Sequence, residues 1–420
     1  MRRLRNFTRL AVVDVRPLQE VVGYRWLFVG MLATQIGRQL TVVAVPVQVF
    51  QLTGSTLLVG LLGLAQLVPL LAVSLLGGSL ADAVDRRRLL AWSQFVLALT
   101  AFGLLWNSLT PAPAVWPLFV LSAANAGISA IDGPARQALL PSLVGRGLFP
   151  AALALNQTLV NTAKAAVPAL AGLLIATAGL PFTFAAEMVM FVVSGLLLGR
   201  IPEVSLEGER RKFGLASIAE GFRFLRPRRI IQAAFLLDLS AMVFGMPTAL
   251  FPAIGTELLG GDAFTVGLLY SAPGIGALLA ALTSGWVSLV RRQGVAVVVA
   301  IVGWGLSITI FGFSNSLALS LVMLGLAGAA DVVSAIFRQS IVQLSVPDDL
   351  RGRLSSMHMA ITAGGPRLGE LESGVVASVT TVPFAVVSGG IASLVGTFFI
   401  SRWSPEFIGY EYRPDEGFSA

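Results

Sequence analysis

Six charged side chains lie at or near the middle of long apolar segments, where a charge needs a partner or a polar cavity. On insertion scales a charge at the centre of a bilayer costs ~2.5–3.5 kcal/mol. The basic residues are Arg38, Lys164 and Arg367, and the acidic ones are Asp238, Asp331 and Glu370. The three basic side chains can bind an anionic or hydrogen-bond-accepting ligand, and Gln35 and Asn161 can add hydrogen bonds.

The three acidic residues are candidate proton carriers, because burial and a neighbouring cation together set whether a carboxylate holds its proton. Two simpler alternatives remain open at this point. Arg38 stands beside the repeat position of Asp238, so these two can instead pair across the cavity. Asp132 and Arg136 are four residues apart on a predicted helix, which favours a structural salt bridge, although the pair can also gate one mouth of the cavity.

The composition identifies the elements that must position these residues. The chain has 420 residues, of which 55% are hydrophobic and 12% charged, and its mean hydropathy is +0.82. Soluble chains are ~25% charged, so this composition excludes a disordered protein, a nucleic-acid-binding module and nearly every soluble enzyme. The remaining class is an all-α integral membrane protein. Without cysteine and with one histidine, His358, we expect no metal site, no cofactor and no enzyme activity.

Segments of ~20 apolar residues are long enough to cross the hydrocarbon core of a bilayer. The sequence contains twelve of them, at 26–50, 57–80, 89–109, 114–140, 153–178, 181–200, 230–256, 264–290, 294–313, 317–345, 354–380 and 381–401. A polar stretch divides them six and six. We therefore expect an N-terminal half at 1–200, a linker with a short amphipathic helix at 201–229, and a C-terminal half with a short tail at 230–420.

Lysine and arginine occupy only alternate connections between these segments. The connections at 51–56, 109–116, 178–182, 256–264, 313–317 and 380–383 contain neither residue. The positive-inside rule then places both termini and the linker in the cytoplasm. The pI of about 10.6 therefore follows from membrane topology, and the basic connections would also attract anionic lipid headgroups. We expect no nucleic-acid partner.

The two halves repeat each other. Val59-Gly60-Leu61-Leu62 recurs as 266–269, and Arg136-Gln137 recurs as 338–339. Both copies have six segments in the same orientation, so they are parallel repeats related by an axis along the membrane normal. Transporters with such repeats bind their substrate between the halves and rock around it.

The connection after the second segment reads Gly78, Asp82, and then Arg86-Arg87-Arg88. This resembles the cytoplasmic loop motif of the major facilitator superfamily, with Ala83 and Asp85 as departures from the usual pattern. The resemblance implies a twelve-helix fold of two pseudo-symmetric halves, in which Gly78, Asp82, Arg86 and Arg87 help to gate the cavity. The alternative is that the arginines only anchor topology and that Asp82 caps a helix.

A closer resemblance extends over about 400 residues. The stretches 132–141, 244–247 and 364–369 look like the branch of this superfamily that contains bacterial enterobactin exporters and macrolide-efflux proteins. It implies a functional monomer in the inner membrane that exports a siderophore or similar amphiphile by proton antiport with alternating access. The first alternative is a multidrug or macrolide pump of the same fold. The remote alternative is a membrane sensor that transports nothing.

Overall fold

The computed structural model describes residues 14–83, 85–202, 225, 227–344 and 348–411; for 75–83, 134, 138 and 348–360 it describes only the backbone. In these ranges the chain is helical, and they contain no strand. Ten helical runs among the described residues are long and apolar enough to cross a membrane, and one of them, Leu139–Gly199, contains two of the helices named below. The predicted all-helical membrane fold is confirmed.

The first half contains six long helices. They are α1 (Val22–Thr53), α2 (Thr56–Ala83), α3 (Arg86–Leu109) and a run Trp116–Gly199 that contains α4 (116–144), α5 (146–178) and α6 (180–199). Gly145 and Gly179 break this run, with φ values of 68° and 83° that favour glycine. A short helix, Arg16–Glu20, precedes α1.

The second half repeats this order. Its helices are α7 (Arg229–Phe244), α8 (Ala263–Leu282), α9 (Gln293–Gly312), α10 (Leu317–Leu344), α11 (Asp348–Val379) and α12 (Val382–Trp403). α11 carries Arg367, Glu370 and Glu372 and is not among the ten apolar helices. The predicted linker helix lies outside the described residues, apart from Leu225, 227 and 228.

Two predicted segments are not single helices. The segment 230–256 is interrupted after Phe244, and it continues as short 3₁₀, α and π turns to Leu258. Pro247 cannot donate a helical hydrogen bond, and Trp304 Nε1 donates to the Gly245 carbonyl at the break, 3.0 Å away. The segment 264–290 is helical only to Leu282, and the 3₁₀ helix Ser284–Leu289 follows.

Side-chain contacts gather the arginines at one end of the bundle, which we call the arginine-rich end. Arg87 donates to the Ile201 carbonyl at 2.8 Å, and Arg200 lies 5.4 Å from the centre of the Trp26 ring. Arg229 stacks in the same way on Trp403. These contacts join the start of α3 to the end of α6, the end of α6 to the start of α1, and the start of α7 to the end of α12. The connections that carry arginine in the sequence therefore lie at one end of the fold, and we call the opposite end the arginine-free end.

The two halves meet at the arginine-free end through two glycine crossings, which we define as Gly60–Gly374 between α2 and α11 and Gly172–Gly267 between α5 and α8. A Cβ on Gly60 would lie 2.6 Å from the Glu370 carbonyl oxygen, and one on Gly267 would lie 2.5 Å from the Pro168 carbonyl oxygen. Backbone contact this close is possible only without side chains.

The internal repeat relates the two crossings. Gly60 and Gly267 occupy the same place in the repeated motif. Gly172 and Gly374 are separated by as many residues as Arg136 and Arg338. Two symmetric backbone contacts therefore hold the halves together at the arginine-free end.

We predict that Gly267→Ala destabilises the protein by about 1–3 kcal/mol, because the added methyl group forces α5 and α8 apart. The melting temperature of the purified protein in detergent measures this loss. Gly303→Ala is the matched control, since its Cβ would lie 4.0 Å from its nearest neighbour, Ala330. Equal melting temperatures for the two variants would show that the crossing does not hold the halves together.

Candidate functional site

A cavity of about 200 Å³ lies between the two halves. Helices α1, α2 and α4 line it from the N-terminal half, and α8, α11 and the broken continuation of α7 line it from the other half. Its polar lining residues are Arg38, Thr41, Gln66, Ser122, Asn125, Ser129, Tyr270, Arg367 and Glu370. The structure thus brings three of the six predicted charged residues together, namely Arg38, Arg367 and Glu370.

Behind Arg38, three side chains converge on the carboxylate of Asp132. Arg38 Nη2 and Arg136 Nε each lie 2.8 Å from Asp132 Oδ2, and Gln94 Nε2 donates to Oδ1 at 3.2 Å. Only 3% of the Asp132 side chain is exposed. The predicted Asp132–Arg136 pair is therefore present, and it includes a second arginine.

Hydroxyl groups complete this cluster. Arg136 Nη2 donates to Thr34 Oγ1 at 2.9 Å, and Thr34 Oγ1 lies 2.7 Å from Ser194 Oγ on α6. Because two guanidinium groups share one carboxylate, the cluster carries a net positive charge. That charge faces the cavity through Arg38, whose side chain is 27% exposed.

In the C-terminal half the acid lies on the first helix and the arginine on the fourth, which reverses the arrangement in the N-terminal half. Asp238 Oδ1 on α7 lies 2.7 Å from Arg338 Nη2 on α10, and the two buried side chains form an ion pair. Arg338 also donates to Ser334, which stands one turn away. The alternative in which Arg38 pairs with Asp238 is wrong, because each finds its partner inside its own half.

Asp331 and Lys164 belong to the surroundings of this buried pair. Asp331 interacts electrostatically with Arg338, Asp238 and Lys164, although Lys164 is on the other half. The Lys164 main chain packs against α8, where a Cβ on Gly274 would lie 2.6 Å from the Lys164 carbonyl oxygen. Neither Asp331 nor Lys164 lines the cavity described above.

At the far wall of the cavity, Arg367 and Glu370 form a local pair on α11. Arg367 Nη1 lies 3.0 Å from both carboxylate oxygens of Glu370. Thr248 donates to Glu370 at 3.4 Å, and Tyr270 donates to the Thr248 carbonyl at 2.9 Å. Arg367 keeps 27% of its side chain exposed. Two arginines, one from each half, therefore line the same space.

Several buried donors on the lining have no hydrogen-bond partner. They are Arg38 Nε, Ser122 Oγ and Asn125 Nδ2. Ser129 Oγ donates to Asn125 Oδ1 at 3.5 Å, which leaves the amide nitrogen free. Buried polar atoms normally have partners, so this wall suits a ligand that is rich in hydrogen-bond acceptors.

Other predicted site residues lie elsewhere. Gln35 is half-buried on α1 but does not line the cavity, and Asn161 accepts a 3.2 Å hydrogen bond from Gln157 on its own helix. For Gly78 and Asp82 the structure describes only the backbone, so their gating role stays a prediction. Arg86 and Arg87 begin α3, and the bond from Arg87 to Ile201 supports the alternative that these arginines anchor the helix ends.

Sequence reasoning assigned no site role to Gln94, Arg338 and Tyr270. The repeat of Arg136 at position 338 was a usable signal for Arg338. Gln94 gives no such signal, because it lies on α3 among apolar residues.

This architecture, with two six-helix halves around a charged cavity, defines a transporter of the major facilitator superfamily. A family model described as transmembrane secretion effector matches residues 14–407, and the chain belongs to this family. It is 28% identical over 394 residues to the enterobactin exporter EntS of Shigella boydii, which covers 93% of this chain and 94% of that one.

Two further comparisons agree with this class. The chain is 29% identical over 390 residues to the enterobactin exporter EntS of Citrobacter koseri, and 92% of each chain is covered. The crystal structure of a D-xylose-proton symporter matches with a TM-score of 0.70 at 15% identity. The match covers 94% of this chain and 100% of that chain. The protein is therefore a multi-span membrane transporter of a bacterial exporter family and not an enzyme.

We predict that Asp238→Asn destabilises the protein by about 3–5 kcal/mol, because buried Arg338 loses its ion-pair partner and keeps only its electrostatic interaction with Asp331. The double variant Asp238→Asn/Arg338→Gln removes both charges and should recover much of this loss. Melting temperatures of the wild type, both single variants and the double variant measure the coupling. Additive losses would contradict a direct ion pair.

Proposed function

We propose that the protein exports a siderophore of the enterobactin type, a catecholate amphiphile, from the cytoplasm in exchange for protons. The observation that carries the proposal is the cavity wall with two partly exposed arginines and unpartnered buried donors. Catecholates present several oxygen acceptors on an aromatic frame, which suits these donors. The relatives named enterobactin exporters support the same substrate class.

The cavity size supports a mechanism of alternating access. Pockets that enclose drug-sized ligands have volumes of ~300–1,000 Å³, whereas this one has about 200 Å³. A siderophore would therefore enter only when the halves separate. Because the glycine crossings hold the halves together at the arginine-free end, separation at the arginine-rich end would admit substrate from the cytoplasm.

The proposal includes an orientation and a division of the chain. We place the arginine-rich end and both termini in the cytoplasm, in a bacterial inner membrane, following the positive-inside rule. The halves at 1–200 and 230–420 rock about the cavity as a functional monomer, joined by the linker at 201–229. Lipid, the small-molecule substrate and protons are then its partners.

Proton coupling is assigned to the carboxylates that share their cations with the site. Glu370 is the most direct of the three predicted carriers, because it lines the cavity and is paired with Arg367. Substrate binding at Arg367 and proton binding at Glu370 would both change the charge of this wall, which links the two events. Asp238 and Asp331 would respond less directly, through Arg338 and Lys164.

We predict that the protein restores enterobactin export to bacterial cells that lack their own exporter, and that a proton uncoupler abolishes this export. Extracellular siderophore is the readout, with protein level in the membrane measured in parallel. No export from a well-inserted protein would reject the siderophore assignment. Export of macrolides or dyes by the same cells would then identify a drug pump.

We further predict that Arg38→Gln weakens enterobactin binding to the purified protein at least tenfold, because the ligand loses a charge-assisted hydrogen bond. Asp132 retains Arg136 as its partner in this variant, so the protein should stay folded. Asn161→Ala is the matched control, since Asn161 does not line the cavity. Equal affinities for the wild type and Arg38→Gln would show that the substrate binds elsewhere.

A further inference from the structure

Glu187 is a buried acid on α6 that has no part in the charge clusters described above. Its side chain is fully buried, and it is the one charged residue within α6. It does not line the cavity, but its carboxylate oxygen Oε1 lies 2.6 Å from the hydroxyl oxygen of Thr41, which does. One hydroxyl group therefore separates this acid from the cavity.

Close packing of α1 against α6 fixes this contact. The helices run antiparallel, and contacts follow at Gly30–Leu198, Thr34–Ser194, Gly37–Phe191 and Thr41–Glu187. A Cβ on Gly37 would lie 3.0 Å from the Phe191 ring. The spacing repeats every three or four residues on both helices, so Glu187 faces Thr41 by the register of the whole pair.

No cation neutralises Glu187 in the described part of the chain. Of the helices that pack around it, α1 carries Arg25 and Arg38, α3 carries only Arg86–Arg88 at its start, and α4 carries Asp132 and Arg136. Arg38 and Arg136 are already paired with Asp132. Glu187 Oε2 has no hydrogen-bond partner. A charged carboxylate in this position would be buried without compensation.

The hydrogen bonds of the Thr41 hydroxyl are compatible with a protonated Glu187. The Thr41 hydroxyl has one hydrogen and two acceptors within reach, the Gly37 carbonyl at 3.2 Å and Glu187 at 2.6 Å. When Glu187 carries a proton, it donates to Thr41, and Thr41 donates to Gly37. When Glu187 is ionised, the Thr41 hydrogen must turn from Gly37 to the carboxylate. The hydroxyl therefore has two arrangements that report on the proton of Glu187.

We propose that Glu187 is a proton-carrying site of the N-terminal half and that the Thr41 hydroxyl connects it to the cavity. The Thr41 hydrogen first turns from the Gly37 carbonyl to a water molecule in the cavity. The proton of Glu187 then passes to the Thr41 oxygen while the Thr41 hydrogen passes to that water, so the hydroxyl is restored and the carboxylate keeps the negative charge. The reverse sequence reloads the acid. This site rests on the proposed proton exchange and adds a carrier to the three in the C-terminal half.

The position of Thr41 suggests how this proton affects the substrate. Arg38 lies one turn before Thr41 on the same face of α1, and both line the cavity. An ionised Glu187 would add a negative charge near Arg38, which so far has Asp132 as its counter-charge. The protonation state of Glu187 would therefore change the electrostatic potential at Arg38, where the substrate binds.

Infrared spectroscopy of the purified protein tests the proton directly and needs no substrate. We expect a carbonyl stretching band of a buried protonated carboxyl group at neutral pH that disappears in Glu187→Gln. Thr41→Val should keep the band but slow its shift in deuterated water by at least tenfold. A spectrum of Glu187→Gln identical to that of the wild type would overturn the proposal.

A flux measurement in proteoliposomes separates this inference from the proposed function. With enterobactin on both sides of the membrane, Glu187→Gln should exchange substrate at a rate within about twofold of the wild type. Under an imposed pH gradient, only the wild type should accumulate substrate, and Glu187→Asp should recover part of that ability. A wild type without gradient-driven transport would reject proton antiport, while the infrared result would still decide whether Glu187 holds a proton. Gradient-driven accumulation by Glu187→Gln equal to that of the wild type would reject Glu187 as a carrier.

Discussion

A charge inside apolar helices must be neutralised by a group within reach, and the organisation of this protein follows from that constraint. Asp132 is held between Arg38 and Arg136, and Asp238 is held by Arg338, each inside one half. Because these pairs do not cross between halves, the halves can move apart without separating them. Backbone contacts at glycine, which carry no charge, make much of the junction, and Lys164 with Asp331 adds an electrostatic interaction across it.

The two halves place opposite charges at neighbouring positions of the repeat on their first helices. The first helix of the N-terminal half supplies a cation, and the first helix of the C-terminal half supplies an anion. The N-terminal cluster is left with one positive charge in excess, while the buried Asp238–Arg338 pair is balanced. The cavity therefore has an electropositive wall on the side of Arg38 and a neutral pair, Arg367 with Glu370, on the other. Such asymmetry gives an anionic or acceptor-rich ligand a preferred orientation.

Much of this fold could be predicted from the sequence because the signals are periodic and long. The apolar segments, the alternation of arginine between connections and the repeated Val-Gly-Leu-Leu motif gave the helix order and the two halves. The break after Phe244 was missed, since a glycine and a proline within an apolar run do not show where the helix stops. At the site, counting residues along a helix predicts how deep a side chain lies in the membrane but not which way it points. Arg38 and Arg367 therefore line the cavity as predicted, whereas Gln35 and Asn161 do not. Pairing across helices, as in Asp238–Arg338, depends on rotations that spacing does not fix.

Distances between spin labels at the two ends of the bundle test the rocking of the halves most directly, and the absence of native cysteine leaves only the labelled sites. One pair of labels, at Gly147 and Leu289, spans the two halves at the arginine-rich end. A second pair, at Leu109 and Phe313, spans them at the arginine-free end. A third pair, at Trp92 and Gly147, lies within one half and serves as the control. Addition of enterobactin under a pH gradient should shorten the first distance and lengthen the second by several ångströms, while the third stays constant. Constant distances at both ends with the ligand bound, or a change within one half, would contradict two rigid halves that rock around a central cavity.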